Sequence, residues 1–389
     1  MILKGLGMLL GYAVTILISR EFGPVGLGIY SVSYTTIIVF SHVASLGLPV
    51  AILRYTGQFR GTNDLGKRKT LYYNALKIIF AISVVLSCAL FAFAKDLGIN
   101  LFGDPSYSYV LRWVAIAAPF FTLNVINVEF LRALERITLS EVFRTVFISS
   151  SILLILYVSD DSSQYLPVMA LSIGILGAAV LSTGRSLSEV WKLEAPKGIT
   201  FPIKEILNTG TPLMLVALGS YFLGNISVYL IQIFEDTRQV GIFSLSLKLT
   251  LLINFALIAI TTVIAPKMSG LFWDGKKVEL TAFVQKATKY VFLLSLPTFL
   301  VLVIFPGTVL KLIEPEFASG KYVMIFLALG QIFNAFGGPV SLLLNMSGHQ
   351  KSVMKVILFV LVFAVSANIV LISYFGIMGA AIATALSIG

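Results

Sequence analysis

The chain has a single cysteine, two histidines and few charges: only 12% of its 389 residues are Asp, Glu, Lys or Arg. A soluble domain carries about 25% charged residues, so half of the usual solvated surface is missing. Cys88 can form no intrachain disulfide and has no neighbours at metal-ligand spacing, so it reads as a small packing residue. His42 and His349 fall on separate elements, and no phosphate-binding glycine loop is present. Metal, nucleotide and acid–base chemistry therefore lack a constellation to work from. Asp160-Asp161 is an adjacent acidic pair, but its loop is a few residues long, too short to hold a sugar site, and it reads as a solvated turn. Neither an enzyme nor a cofactor is expected.

What is abundant is apolar length. Hydrophobic residues make up 58% of the chain, and mean hydropathy is +0.95. Runs of roughly 17–25 apolar residues, long enough to cross a hydrocarbon core of about 30 Å, recur from end to end. The predicted spans are Ile2–Ser19, Leu27–Leu53, Ala75–Ala94, Val110–Leu131, Val142–Val158, Leu166–Leu181, Pro212–Phe234, Val240–Ile264, Tyr290–Leu312, Tyr322–Met346, Val353–Tyr374 and a last run from Gly376. The first is not a signal peptide: only Lys4 precedes most of it, and no small-residue cleavage site closes it. The last is too short to cross, so a longer natural chain is expected. The fold class is an all-α polytopic membrane protein with about twelve transmembrane helices.

A net charge of +10 would suggest a nucleic-acid partner in a soluble protein. Here the positive-inside rule explains it better. Arg54, Arg60 and Lys67 to Lys69 follow span two, Arg132, Arg136 and Arg144 follow span four, and Arg185, Lys192, Lys197 and Lys204 follow span six. Lys267, Lys276, Lys277, Lys286 and Lys289 follow span eight, and Lys351 and Lys355 follow span ten. With Lys4 and Lys77, about 21 of the 28 basic residues lie on one side. Only Arg20, Lys95, Arg112, Arg238, Lys311 and Lys321 lie on the other. A multi-pass cell-membrane protein with a cytoplasmic N-terminus is predicted, and no nucleic-acid partner.

The chain also repeats. Gly28-Ile29-Tyr30-Ser31 at the start of span two recurs 213 residues later as Gly241-Ile242-Phe243-Ser244 at the start of span eight, and the same offset carries Arg54 onto Lys267. Six spans per repeat is an even number, so both halves enter from the same side. Parallel repeats of this kind are related by an axis along the membrane normal, and transporters use it for alternating access. The expected domains are a six-helix lobe at 1–190, a cytoplasmic linker at 191–211 and a second six-helix lobe at 212–389, arranged around a central cavity.

Polar side chains within spans are expensive and tend to face a bundle interior. Lys248 is the one basic residue well inside a span, and the repeat offset carries it onto Thr35. At 100° per residue Ser31, Thr35, His42, Ser45 and Pro49 fall within about 40° of one line. Span seven has a comparable stripe in Tyr221, Asn225 and Gln232. The candidate cavity residues are thus Lys248, Thr35, His42, Ser31, Asn225 and Gln232, with Arg54 and Lys267 at the cytoplasmic mouth. Gly7-x-x-x-Gly11 on span one reads as close helix packing, and Glu129 as an i,i+3 ion pair with Arg132.

The segment Ile18-Ser19-Arg20-Glu21-Phe22-Gly23-Pro24-Val25-Gly26-Leu27-Gly28-Ile29-Tyr30 resembles the first-loop signature of the polysaccharide transporter (Wzx-type oligosaccharide flippase) family. That family belongs to the multidrug/oligosaccharidyl-lipid/polysaccharide exporter superfamily. Gly210-Thr211-Pro212, Val240-Gly241-Ile242-Phe243-Ser244-Leu245 and Ser347-Gly348-His349-Gln350-Lys351 agree with it, and the resemblance runs from about Leu3 to the end. It implies two six-helix lobes in a V, and export of a polyprenyl-diphosphate-linked glycan across the membrane without covalent chemistry. Membrane lipids and other polysaccharide assembly proteins are the implied partners. Relatives often carry an acidic residue on span seven where this chain has Asn225-Ile226-Ser227, which leaves energetic coupling open. A cation-coupled exporter of small amphiphiles and a non-transporting component of glycan assembly stand as alternatives.

Overall fold

A computed structural model of the protein describes residues 2–61, 64–192, 202–346 and 350–388. Lys197 and the Ser347-Gly348-His349 motif lie outside the described residues. Every regular element among the described residues is helical. Among the described residues ten helices are long and apolar enough to cross a membrane. Two of them are double. Ile2–Ser45 turns at Gly23 (φ 61°) and Gln350–Ile388 turns at Gly376 (φ 57°). A side chain would resist both conformations, whereas glycine adopts positive φ freely. Counting each kinked helix as a pair recovers the twelve apolar segments predicted above.

The described chain forms two compact units, Met1–Phe22 with Ile29–Leu218, and Gly23–Gly28 with Gly219–Gly389. In the first, Leu71, Tyr72 and Ile79 of the helix Leu65–Ala92 pack against Ile126 and Phe130 of Tyr107–Ala133. The Tyr72 and Phe130 rings lie 4.3 Å apart. Outward positions are apolar too: Val85, Leu154, Phe359 and Val362 are all exposed. Between two apolar media the hydrophobic effect offers little, so close packing and internal hydrogen bonds hold such helices together.

The second unit contains a contact that maps onto itself under the repeat. A methyl group added at Gly28 would overlap the Thr237 carbonyl oxygen, and one added at Gly241 would overlap the Pro24 carbonyl oxygen. The 213-residue offset carries Pro24 onto Thr237 and Gly28 onto Gly241. Residue i touching j′ while j touches i′ is the signature of a twofold contact. The glycines recur because the backbones meet there.

Several predicted boundaries move. Span nine was expected to run from Tyr290 to Leu312, but its helix is Lys277–Ile304, and a separate helix, Pro306–Ile313, follows. Pro306 disfavours helical geometry at the residue before it, and Phe305 breaks the run at φ −120°, ψ 40°. Span two ends early because Leu46 and Gly47 both take positive φ; Pro49 therefore sits on the next helix, Leu48–Gly61, and the predicted polar line is interrupted. Cys88 is exposed rather than packed. Several of the basic residues predicted to be cytoplasmic ride on helical extensions instead of loops. Lys67, Arg68 and Lys69 occupy the first turns of Leu65–Ala92, where the Asp64 carboxylate caps the helix by accepting from the Lys67 backbone N–H at 3.1 Å. Hydrogen bonds from the Lys67 side chain and backbone hold that carboxyl below its ordinary range. The charged cap is therefore complete above the ordinary carboxylate pKa and is lost as pH falls through the depressed one. Asp64→Asn is expected to keep the helix start and remove this acid sensitivity, read by hydrogen exchange of the Lys67 amide at low pH.

Candidate functional site

Span eight carries the one cation that the sequence places well inside a membrane segment. Its first helix, Thr237–Thr250, is opened by Asp236, whose carboxylate accepts from the Gln239 N–H at 2.8 Å. Lys248 lies eleven residues in, about 16 Å along the axis at 1.5 Å per residue. That is close to halfway through a core of about 30 Å. The side chain is half-buried. Directly after it the helix tightens into a 3₁₀ turn, Leu251–Asn254, before resuming as Phe255–Trp273. Neighbouring helices hold this break: Ser295 Oγ donates to the Ile253 carbonyl at 2.6 Å, and the Asn254 amide donates to Gln331 Oε1. Interrupted helices at membrane depth occur where buried polar partners or a cavity accept the freed backbone groups.

The other predicted residues fall into three environments. Thr35 is buried, Ser31 and His42 are half-buried on the helix Ile2–Ser45, and Ser45 Oγ donates back to the His42 carbonyl at 3.3 Å. Asn225 is half-buried and its amide donates to the Tyr221 carbonyl at 3.0 Å. Gln232 is buried and donates to Thr237 Oγ1 at 3.2 Å, which ties the end of span seven to the start of span eight. Arg54 and Lys267 are exposed and lie over aromatic rings, Tyr55 at 6.0 Å and Phe283 at 4.8 Å, as interfacial cations do. Asn225, Gln232, Lys248 and Lys267 belong to the second compact unit; Ser31, Thr35, His42 and Arg54 belong to the first.

Sequence reading missed the polar groups that lock each unit. In the first, Asn127 accepts from the Tyr72 hydroxyl at 2.7 Å and donates to Ser182 Oγ at 3.2 Å and Thr183 Oγ1 at 2.7 Å. In the second, Ser227 Oγ donates to Asn368 Oδ1 at 2.8 Å and lies 2.8 Å from Thr384 Oγ1. A census of amides within spans would have found Asn127 and Asn368, though not their partners. Asn127→Ala is expected to destabilise the protein by about 1–3 kcal/mol, because two buried hydroxyls and a half-buried one lose a partner at once. Thermal unfolding in detergent measures this, and an unchanged midpoint would remove the hub's structural role.

Glu129 also differs from expectation. Arg132 approaches it at 3.6 Å as predicted, but the shorter partner is Arg144 at 2.7 Å, from the following span. Nearby, Glu189 accepts from Arg185 at 2.7 Å and meets Lys192 at 3.4 Å and Arg136 at 3.7 Å. Among the described residues no group of three His, Cys, Asp or Glu side chains is placed to hold a metal ion.

Residues 1–272 match the polysaccharide biosynthesis protein family. The chain belongs to that family. Its relatives include the "Probable low-salt glycan biosynthesis flippase" of Haloferax volcanii, 22% identical over 95% of this chain and 75% of the relative. Among solved structures, a lipid II flippase MurJ in an inward closed conformation superposes with a TM-score of 0.80 at 16% identity, covering 99% of this chain and 84% of the other. An inward-facing multidrug-resistance MATE transporter of the MOP superfamily gives 0.78 at 16% identity, covering 98% and 91%. The chain is thus a multi-pass helical membrane protein of the polysaccharide biosynthesis protein family, and its two-lobe helical fold is the one seen in these solved structures.

Proposed function

We propose that this protein carries a lipid-diphosphate-linked oligosaccharide from the cytoplasmic to the outer leaflet of the cell membrane by alternating access, with its N-terminus in the cytoplasm, for cell-surface polysaccharide synthesis. The observation that carries the reading is Lys248, half-buried near mid-membrane beside a broken helix, in a chain whose predicted spans one, two, seven and eight hold no carboxylate. A cation there suits a diphosphate, whose oxygens accept charge-assisted hydrogen bonds. It does not suit a cationic drug, and it offers no carboxylate for cation coupling. Ser31, Thr35, His42 and Asn225 are the hydroxyl, imidazole and amide groups that would serve the sugar. Arg54 and Lys267, at the cytoplasmic end by the charge census, would gather the anionic lipid from the inner leaflet.

The test is reconstitution in liposomes with a fluorescent polyprenyl-diphosphate oligosaccharide, following leaflet exchange over time. Exchange above protein-free vesicles is expected. Absence of exchange, with transport of small amphiphilic cations instead, would replace this reading with the small-amphiphile exporter.

A further inference from the structure

The short helix after span nine makes a site that the transport reading does not use. Pro306–Ile313, the turn Pro315–Gly320 and the start of span ten at Lys321 border an open cavity of about 560 Å³. Its walls include Ile304, Phe305, Thr308, Lys311, Ser319 and Lys321. By the charge census this end of the helices lies outside, where only six of the 28 basic residues are found. Two of those six line this one cavity. The positive-inside rule accounts for cytoplasmic lysines, not for a pair of them converging on the opposite side.

The rest of the surroundings fits an amphiphile. Neither Glu314 nor Glu316 lines the cavity, and Glu316 is engaged by Arg238 at 3.3 Å. Ile304 and Phe305, both more than half exposed, give the cavity an apolar flank, and Leu312 at 70% and Tyr322 at 52% lie exposed close by. Buried Leu310, Phe317 and Gly320 anchor the segment, the last of these against Ile242 and Ser246 of span eight, so the walls are fixed.

We propose that this cavity binds the phosphate headgroup of an anionic phospholipid of the outer leaflet. Lys311 and Lys321 face the phosphate as point charges, the Thr308 and Ser319 hydroxyls donate to it, and Ile304 and Phe305 lie along the acyl chain. The leaflet assignment rests on the proposed orientation; the lipid site itself does not.

The experiment is native mass spectrometry of the purified full chain in detergent with phosphatidylglycerol, phosphatidylcholine of the same acyl chains, or inorganic phosphate. Wild type is expected to retain phosphatidylglycerol selectively. Lys311→Gln/Lys321→Gln should weaken it by about thirty-fold, at roughly 1 kcal/mol per lysine. Lys311→Arg/Lys321→Arg should keep it, which separates charge from misfolding, and Lys276→Gln/Lys277→Gln on the cytoplasmic side should change nothing. Equal binding of phosphatidylcholine, or no loss in the glutamine variant, overturns the proposal, and inorganic phosphate competing as well as the lipid overturns its lipid part. A membrane-impermeant maleimide applied to intact cells carrying Ser162→Cys with Cys88→Ala, in the exposed turn before span six that the charge census puts on the same side, tests the leaflet separately. Labelling supports the outer leaflet; protection with lipid binding intact overturns that assignment alone.

Discussion

Lys248→Ala is expected to reduce leaflet exchange of a polyprenyl-diphosphate oligosaccharide by roughly ten- to a hundred-fold, the range of one hydrogen bond to a charged group worth about 1.5–3 kcal/mol. Lys248→Arg should retain most of the exchange, since the charge and its donors remain. Lys248→Met is the decisive companion. Methionine nearly matches the length and apolar stem of lysine, so a variant that melts like wild type but does not exchange lipid isolates the charge. Should Lys248→Met work as well as wild type, Lys248 serves only packing and the cationic site must be sought elsewhere. The position argues against a purely interfacial role: three turns separate Lys248 from the start of its helix, and the helix breaks one turn later, at Leu251–Asn254. A snorkelling lysine gains from lying within reach of the membrane–water interface. Six residues beyond Lys248, the buried amide pair of Asn254 with Gln331 holds that break.

The spans themselves were legible because hydrocarbon imposes a simple rule on composition, and the glycine kinks fell at the predicted boundaries, Gly23 between spans one and two and Gly376 where the last run begins. What escaped was lateral pairing. Arg144 reaches Glu129 across two spans, and Asn127 joins helices starting at Leu65, Tyr107 and Leu166. Linear spacing carries i,i+3 and i,i+4 neighbours on one helix but is silent on which helices lie side by side. Helix breaks at non-glycine positions escaped for a related reason. Leu46 at φ 49° is held by its surroundings, since leucine has no intrinsic preference for that conformation. The polar stripe on span two was drawn on the assumption of one straight helix; Ser31, Thr35, His42 and Ser45 do share the helix Ile2–Ser45, and Pro49 does not. The candidate site was legible only as residue types at membrane depth; the 3₁₀ turn beside Lys248 left no sequence signal except Asn254 within an apolar run.

Gly241→Val and Gly28→Val are each expected to destabilise the protein by about 1–3 kcal/mol or more, the range for overpacking a filled site. Both variants should lower the melting midpoint in detergent and the yield of folded protein. The obstacle in each case is a backbone carbonyl, Pro24 at Gly241 and Thr237 at Gly28, so no rotamer change can relieve it. Gly270→Val supplies the control, because nothing lies within 4 Å of an added Cβ there. Since the two contacts exchange places under the 213-residue repeat, they close one interface rather than two. Opening it with the first valine relieves the second, so the double variant should lose clearly less stability than the two single losses combined. Wild-type melting in either single variant would mean that the backbones at Pro24 and Thr237 do not meet these glycines in the folded protein. Strict additivity would mean that the repeat has left two independent packing sites instead of one shared contact about a pseudo-twofold axis.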